Sequence, residues 1–211
     1  IAAYVAGWVI SDHALYKMPV TTWSLQVLWV IPILVLVLTP LAYGFARLTK
    51  QATAHRIKDQ RIFLTLPLVF LFLAGLAQKF PHLLGNGRMV AQEVINGISW
   101  KTALVLFVLK ALVVLLTLWA GAYGGTLTPS FALGMAGAAL LTLAFGFEGL
   151  STILLIGAVC FLTVTLNAPF SATGLVIGFT GQGLEAMPYL LLTAVLTYGL
   201  TQRLDRLMGR K

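Results

Sequence analysis

Residues 121–134 read GAYGGTLTPSFALG, between two long apolar segments. The glycine pair Gly124 and Gly125 interrupts the helical pattern, and Pro129 restarts it. Proline is favoured at the first position of a helix, because the N–H it lacks has no intrahelical acceptor there. Thr128, just before it, can cap the helix through its hydroxyl. Glycines let backbone or a ligand approach where a side chain would intervene. The stretch therefore predicts a helix that opens at Pro129 with Thr128 as its N-cap. At membrane depth such an irregular turn persists only where it is buried in protein or lines a wet cavity. A helix beginning there aims unpaired N–H groups and the positive end of its dipole into a low-dielectric interior, which makes an anion site out of backbone. An exposed connecting loop is the plainer reading, but no charged residue lies between Ala111 and Gly146.

The membrane setting follows from composition. The chain has 211 residues, 59% of them hydrophobic and only 9% charged, with a mean hydropathy of +0.95. A soluble domain carries about 25% charged residues, so this is an integral membrane protein. The single cysteine, Cys160, lies in an apolar run and gives neither a disulfide framework nor a thiolate metal site. His13, His55 and His82 are scattered through loops with no shared face, and no metal or cofactor is expected. The formal charge of +8 resolves into Arg47, Lys50, Arg56, Lys58 and Arg61 in one loop and Arg203, Arg206, Arg210 and Lys211 at the end. These clusters read as positive-inside signals facing anionic lipid, not as a nucleic-acid surface, and they place that loop and the C-terminus in the cytoplasm. The expected location is a bacterial inner (cell) membrane, crossed several times. Trp8, Trp23, Trp29, Trp100 and Trp119 mostly fall near span ends, as an interfacial aromatic belt requires.

In order, residues 1–10 read as the end of a helix and Ser11 to Thr22 as a polar loop. Because IAAYVAGWVI is apolar from Ile1, with no basic region or cleavage site before it, the expectation is no signal peptide and a chain beginning inside a spanning helix. Trp23 to Phe45 is a long apolar segment containing Pro32 and Pro40, followed by a basic loop over 46–61. Ile62 to Ala77 is marginal for a crossing, which takes about 20 residues. Gln78–Arg88 is a break in which Gly85-Asn86-Gly87 can take positive φ, and Met89 to Ile98, with Glu93, reads as an interfacial or broken helix. Trp100 to Ala122 is a strong span interrupted by Lys110, and Pro129 to Phe147 is rich in small residues that permit close helix packing. Ser151 to Leu166 leads to a second break at Asn167-Ala168-Pro169, then a short helix over 169–181 and a last one from Leu184 to Leu204. TLTPSF at 126–131 and TLNAPFS at 165–171 are alike, and both read as helix starts inside the membrane. Short, interrupted segments of this kind belong to transporters built from broken helices.

These breaks resemble the second half of the CLC family of chloride channels and chloride/proton exchangers. The family's glycine-containing GxFxP turn, preceded by a span bearing lysine or arginine, is similar to Lys110 followed by Gly124-Gly125-Thr126-Leu127-Thr128-Pro129. The small-residue helix Gly157–Leu166 with Ala168-Pro169, the short helix ending near Thr180, the helix opened at Pro188 and the LLGNG turn at 83–87 match in order and spacing. The resemblance implies an all-α membrane fold with tilted, broken and re-entrant helices, one half of an inverted repeat. It implies that residues 1–211 are one transmembrane domain, the second half of a larger transporter. It further implies that the N–H groups of Thr126 and Leu127 help hold a dehydrated chloride, within a site formed by Gly124, Gly125, Thr126, Leu127, Thr128 and Pro129. It implies a homodimer with much of its contact over residues 170–202, and an N-terminal half as the partner that completes the pathway. There are departures from the family pattern: Leu127 stands for the usual phenylalanine, Gly178 for an acidic residue and Asn167 for a basic one. Arg203–Lys211 also lacks the family's anion-touching tyrosine, and Tyr198 comes too early to supply it.

Lys110 admits two readings, an intramembrane charge with a role in function or a side chain that snorkels to the interface. Glu93 reads as interfacial and not as a proton relay. No Ser/His pair, paired Asp or HExxH arrangement lies in a span, so the chain is not expected to be an enzyme. The reading is chloride or small-anion transport across a membrane. Two alternatives stand beside it: a secondary transporter of an organic anion or carboxylate, and a non-transporting fragment that requires a partner half. If backbone amides hold the anion, proline at 126 or 127 removes one donor and lowers anion affinity, whereas Leu127→Ala leaves it unchanged. Equal losses in all three variants, measured by titration calorimetry, would point to side chains instead.

Overall fold

The computed structural model describes residues 14–21, 23 and 27–208. The apolar start over 1–10, with Trp8, and Asp12, His13, Arg210 and Lys211 lie outside those residues. Among the described residues the chain is all-α. Its helices are α1 (Val27–Ala54), α2 (Ile62–Lys79), α3 (Arg88–Asn96), α4 (Trp100–Trp119), α5 (Leu127–Phe145), α6 (Leu150–Leu166), α7 (Pro169–Thr180) and α8 (Met187–Leu207). Short 3-10 turns occupy Pro81–Leu83 and Leu184–Ala186. α1, α2, α4, α5 and the segment Leu184–Leu207 are long and apolar enough to cross a membrane, whereas α3, α6 and α7 are shorter. That unevenness agrees with broken-helix architecture.

The ends of the first two helices differ from the sequence reading. α1 does not stop at Phe45 but continues to Ala54, so Arg47 and Lys50 stand on a helix instead of in a loop. The reason is local: ARLTKQATA, residues 46–54, contains neither glycine nor proline to end the helix. α2 likewise runs past Ala77 to Lys79, where Gln78 and Lys79 are compatible with helix and Pro81 supplies the stop.

The core is centred on α6, in which every residue from Thr152 to Val164 is buried. α5 lies against it and buries the run Pro129–Ala139. What brings them together is a glycine on each helix. A Cβ on Gly134 would strike the Gly157 carbonyl, and a Cβ on Gly157 would strike that of Gly134. Small residues at such a crossing let two backbones approach without intervening side chains, which is how helices associate where lipid offers no hydrophobic drive. α1, α4, α7 and α8 pack around this pair, and α2 stands at the edge with Leu73 its one buried residue.

Lys110, midway along α4, does not snorkel. Its residue is 1% exposed, and its Nζ donates to the carbonyls of Leu83 at 2.9 Å and Gly85 at 2.7 Å. The ammonium thus holds the LLGNG turn, where Gly85 and Gly87 take φ of +73° and +106°. Behind that turn lies the start of α5: a Cβ on Gly87 would sit 3.2 Å from the Thr128 carbonyl and 3.3 Å from Pro129 Cα. Glu93 forms a partly exposed pair with His82 at 3.7 Å.

Gly134→Leu should destabilise the protein by more than the about 1–3 kcal/mol typical of overpacking, because backbone and not a flexible side chain stands in the way; the midpoint of thermal unfolding in detergent reads it. Lys110→Met leaves two carbonyls without their charged donor, a bond worth about 1.5–3 kcal/mol each. Amide hydrogen exchange over 83–88 should accelerate in that variant while the α5–α6 core remains protected.

Candidate anion site

The predicted helix start is displaced by two residues. α5 opens at Leu127 with Thr126 as its N-cap, at φ −97° and ψ 1°, and no side chain caps it. Thr128 is therefore inside the first turn and not the cap, and Pro129 is the third helical residue instead of the first. The proline remains compatible, because first-turn N–H groups have no acceptor within the helix. The first main-chain bond of the helix runs from Ser130 N to the Thr126 carbonyl at 2.9 Å. Among the described residues, the amides of Leu127 and Thr128 have no protein acceptor.

The second break behaves differently despite its similar sequence. Asn167 closes α6 in a left-handed conformation at φ 54°, and α7 opens directly at Pro169. The likeness of TLTPSF and TLNAPFS therefore marks two helix starts with the proline at unequal positions.

Supports converge on the first break from three sides. At the end of α4, Gly121 takes φ +113°, and a Cβ there would lie 2.6 Å from Ile62 Cδ1 and 2.7 Å from the Ile57 carbonyl. Ile57 N donates to the Trp119 carbonyl at 3.0 Å, and Thr65 Oγ1 to that of Ala120 at 3.1 Å. The Arg56 guanidinium lies 3.9 Å from the centre of the Tyr123 ring, one residue before the glycine pair, a cation–π arrangement. On the second side, the buried Ser130 hydroxyl meets Thr165 Oγ1 at 2.9 Å. Thr165 spends its own hydrogen on the Phe161 carbonyl, so Ser130 is the donor between the two. On the third, Tyr16 stacks on Phe131 with ring centres 4.7 Å apart. Its phenol is pushed up to about 12 by burial, against the lowering effect of Arg88, and stays neutral at physiological pH.

Gly124, Gly125 and Thr126 line a cavity of about 470 Å³ together with Thr49, Lys50, Thr53 and Thr165. Among the described residues, no acidic side chain lines it. Gly124 and Gly125 are exposed to it, Thr126, Leu127 and Thr128 are half-buried and Pro129 is buried. The cavity therefore joins the open end of a helix, three threonine side chains and one exposed ammonium. Of the six residues expected to form the site, Gly124, Gly125 and Thr126 face this space, and Leu127, Thr128 and Pro129 form the turn behind it. Sequence reasoning did not find Thr165, Lys50, Arg56 or Ser130. Thr165 alone had a local signal, as the first residue of the repeated TLNAPFS. Among the described residues no group of three or more His, Cys, Asp or Glu side chains could hold a metal.

A structure described as a slow cyanobacterial Cl⁻/H⁺ antiporter superposes with a TM-score of 0.81 at 20% identity, over 99% of this chain and 51% of that one. A CLC-type fluoride/proton antiporter superposes with a TM-score of 0.71 at 15% identity, over 96% of this chain and 51% of the other. At those identities the likeness is one of fold, and the chain spans about half the length of each. A search of curated protein sequences finds no match. The family model described as voltage gated chloride channel matches residues 1–202. With all but its last residues inside that match, the chain belongs to the voltage-gated chloride channel family, whose proteins are channels and transporters and not enzymes.

Proposed function

We propose that this chain forms half of a membrane pathway for chloride or a similar small anion, with the anion held at the open end of α5. The N–H groups of Thr126 and Leu127 are the donors, and Gly124, Gly125, Thr128 and Pro129 shape the turn that presents them. The observation that carries this reading is the pairing of an unsatisfied first helical turn with a cavity that has no acidic wall. A helix terminus contributes about 0.3–1 kcal/mol when exposed and up to ~2 when partly buried. Such weak, reversible binding suits conduction, where the ion must also leave.

One similar structure is a Cl⁻/H⁺ antiporter and the other a fluoride/proton antiporter, which supports a halide as the substrate class. Because the chain spans about half of each, the pathway is proposed to be completed by an N-terminal half, and the assembly to be a homodimer. The positive clusters orient the loop after α1 and the C-terminus toward the cytoplasm of a cell membrane.

Anion flux into liposomes carrying the full-length protein tests the reading. Chloride should be transported, and acetate or lactate in excess should compete poorly; a preference for carboxylates would favour an organic-anion transporter instead. Exchanging the Leu127 amide for an ester removes its N–H without changing the side chain. It should weaken chloride binding by about tenfold, the loss of one hydrogen bond to a charged group.

A further inference from the structure

The cavity at the glycine break has a smaller neighbour. A pocket of about 100 Å³ lies between α1, the end of α6 and α8, and its polar lining includes Tyr43, Arg47, Lys50, Asn167, Thr201 and Asp205. Lys50 and Thr165 belong to the walls of both spaces, so one lysine stands between them. α1 and α8 are tied beside the smaller pocket. Tyr43 Oη donates to Asp205 Oδ1 at 2.7 Å. Arg47 reaches the Met208 sulfur at 3.1 Å, and its guanidinium lies 4.7 Å from the centre of the Tyr43 ring.

The lining of the larger cavity has few hydrogens to offer an anion. Thr49 Oγ1 donates to the Ala46 carbonyl at 3.0 Å, Thr53 Oγ1 to that of Thr49 at 2.8 Å, and Thr165 Oγ1 to that of Phe161 at 2.8 Å. A hydroxyl has a single hydrogen, so these three have only lone pairs left. The side chains of Thr126 and Lys50 remain. Among the described residues neither makes a hydrogen bond or ion pair, and Lys50 is the one charged residue lining the cavity. An ammonium carries three donors. The neighbouring cations are engaged elsewhere, Arg47 on Met208 and Tyr43, Arg56 on Tyr123.

We propose that Lys50 captures the anion ahead of the α5 amides, and that Asp205 competes with the anion for the same ammonium. Resting on the anion reading above, this adds a binding residue and a built-in rival to it. The two rivals occupy different spaces, Asp205 the smaller pocket and the anion the larger cavity, and Lys50 lines both. A carboxylate steadied by Tyr43 draws the ammonium toward α8, and an arriving halide draws it back. Exposed ion pairs are weak, so the exchange is cheap in either direction and the anion can leave as well as enter.

Chloride uptake into liposomes carrying the full-length protein tests this, with KM and maximal rate read separately. Lys50→Gln should raise the chloride KM about threefold, the weight of an exposed ion pair, and leave the maximal rate and the unfolding midpoint where they were. Lys50→Arg should keep the wild-type KM. Asp205→Asn retains an oxygen for the Tyr43 hydroxyl and loses only the charge. It should lower the KM about twofold, and should have no effect once Lys50→Gln is present. If wild type transports no chloride, the anion reading falls and this proposal with it. With transport intact, the proposal alone is overturned if Lys50→Gln leaves the KM unchanged, if Lys50→Arg behaves as Lys50→Gln does, or if the effect of Asp205→Asn persists without Lys50. An unchanged KM with a lowered unfolding midpoint in Lys50→Gln would show that the lysine pairs with another part of the protein instead.

Discussion

A peptide group in hydrocarbon must find a hydrogen-bond partner, and much of this structure is arranged around a place where that rule is suspended, the first turn of α5. An unpaired amide costs several kcal/mol when lipid surrounds it. The first turn of α5 leaves its amides unpaired, so this turn must be kept out of lipid and close to something polar. The protein meets the first demand by surrounding the turn with the end of α4, the LLGNG turn and α6. It meets the second with a threonine-lined cavity to which no carboxylate among the described residues contributes.

That arrangement needs rigidity, and rigidity here comes from glycines and one lysine. The mutual approach of Gly134 and Gly157 locks α5 to α6 along buried faces. From the other side, Lys110 replaces the hydrogen bonds that the carbonyls of Leu83 and Gly85 would otherwise lack. The same ammonium places a positive charge behind the turn that packs on Thr128 and Pro129, and among the described residues no carboxylate pairs with it. One side chain thus satisfies backbone and biases the electrostatics of the interior toward anions.

Charge on the outside is distributed by the same logic. Arg47, Lys50 and Arg56 gather at one end of the molecule, and each has a different task. Arg47 helps pin α1 to α8, Arg56 lies on Tyr123 beside the break, and Lys50 stands at the cavity. A net charge of +8 is therefore neither a nucleic-acid surface nor a uniform coat.

Much of this was legible in the residues alone. Hydropathy set the membrane class, glycine and proline set the breaks at 121–129 and 167–169, and their order and spacing pointed to the family. Those features are local: a break depends on a few neighbouring residues that cannot continue a helix. Helix ends were less legible, because Thr128 and Thr126 are both plausible caps, and only packing against Gly87 and Thr165 decides between them. The role of Lys110 was undecidable from its position, since a long side chain can reach an interface or a carbonyl equally well until the fold brings Leu83 and Gly85 to it. The partnership of Ser130 with Thr165, the crossing of Gly134 with Gly157 and the gathering of Lys50, Thr126 and Thr165 around one cavity join residues far apart in the chain. Sequence determined where the backbone would open; tertiary structure decided what it opens onto, because contacts between distant helices leave no trace in the local pattern.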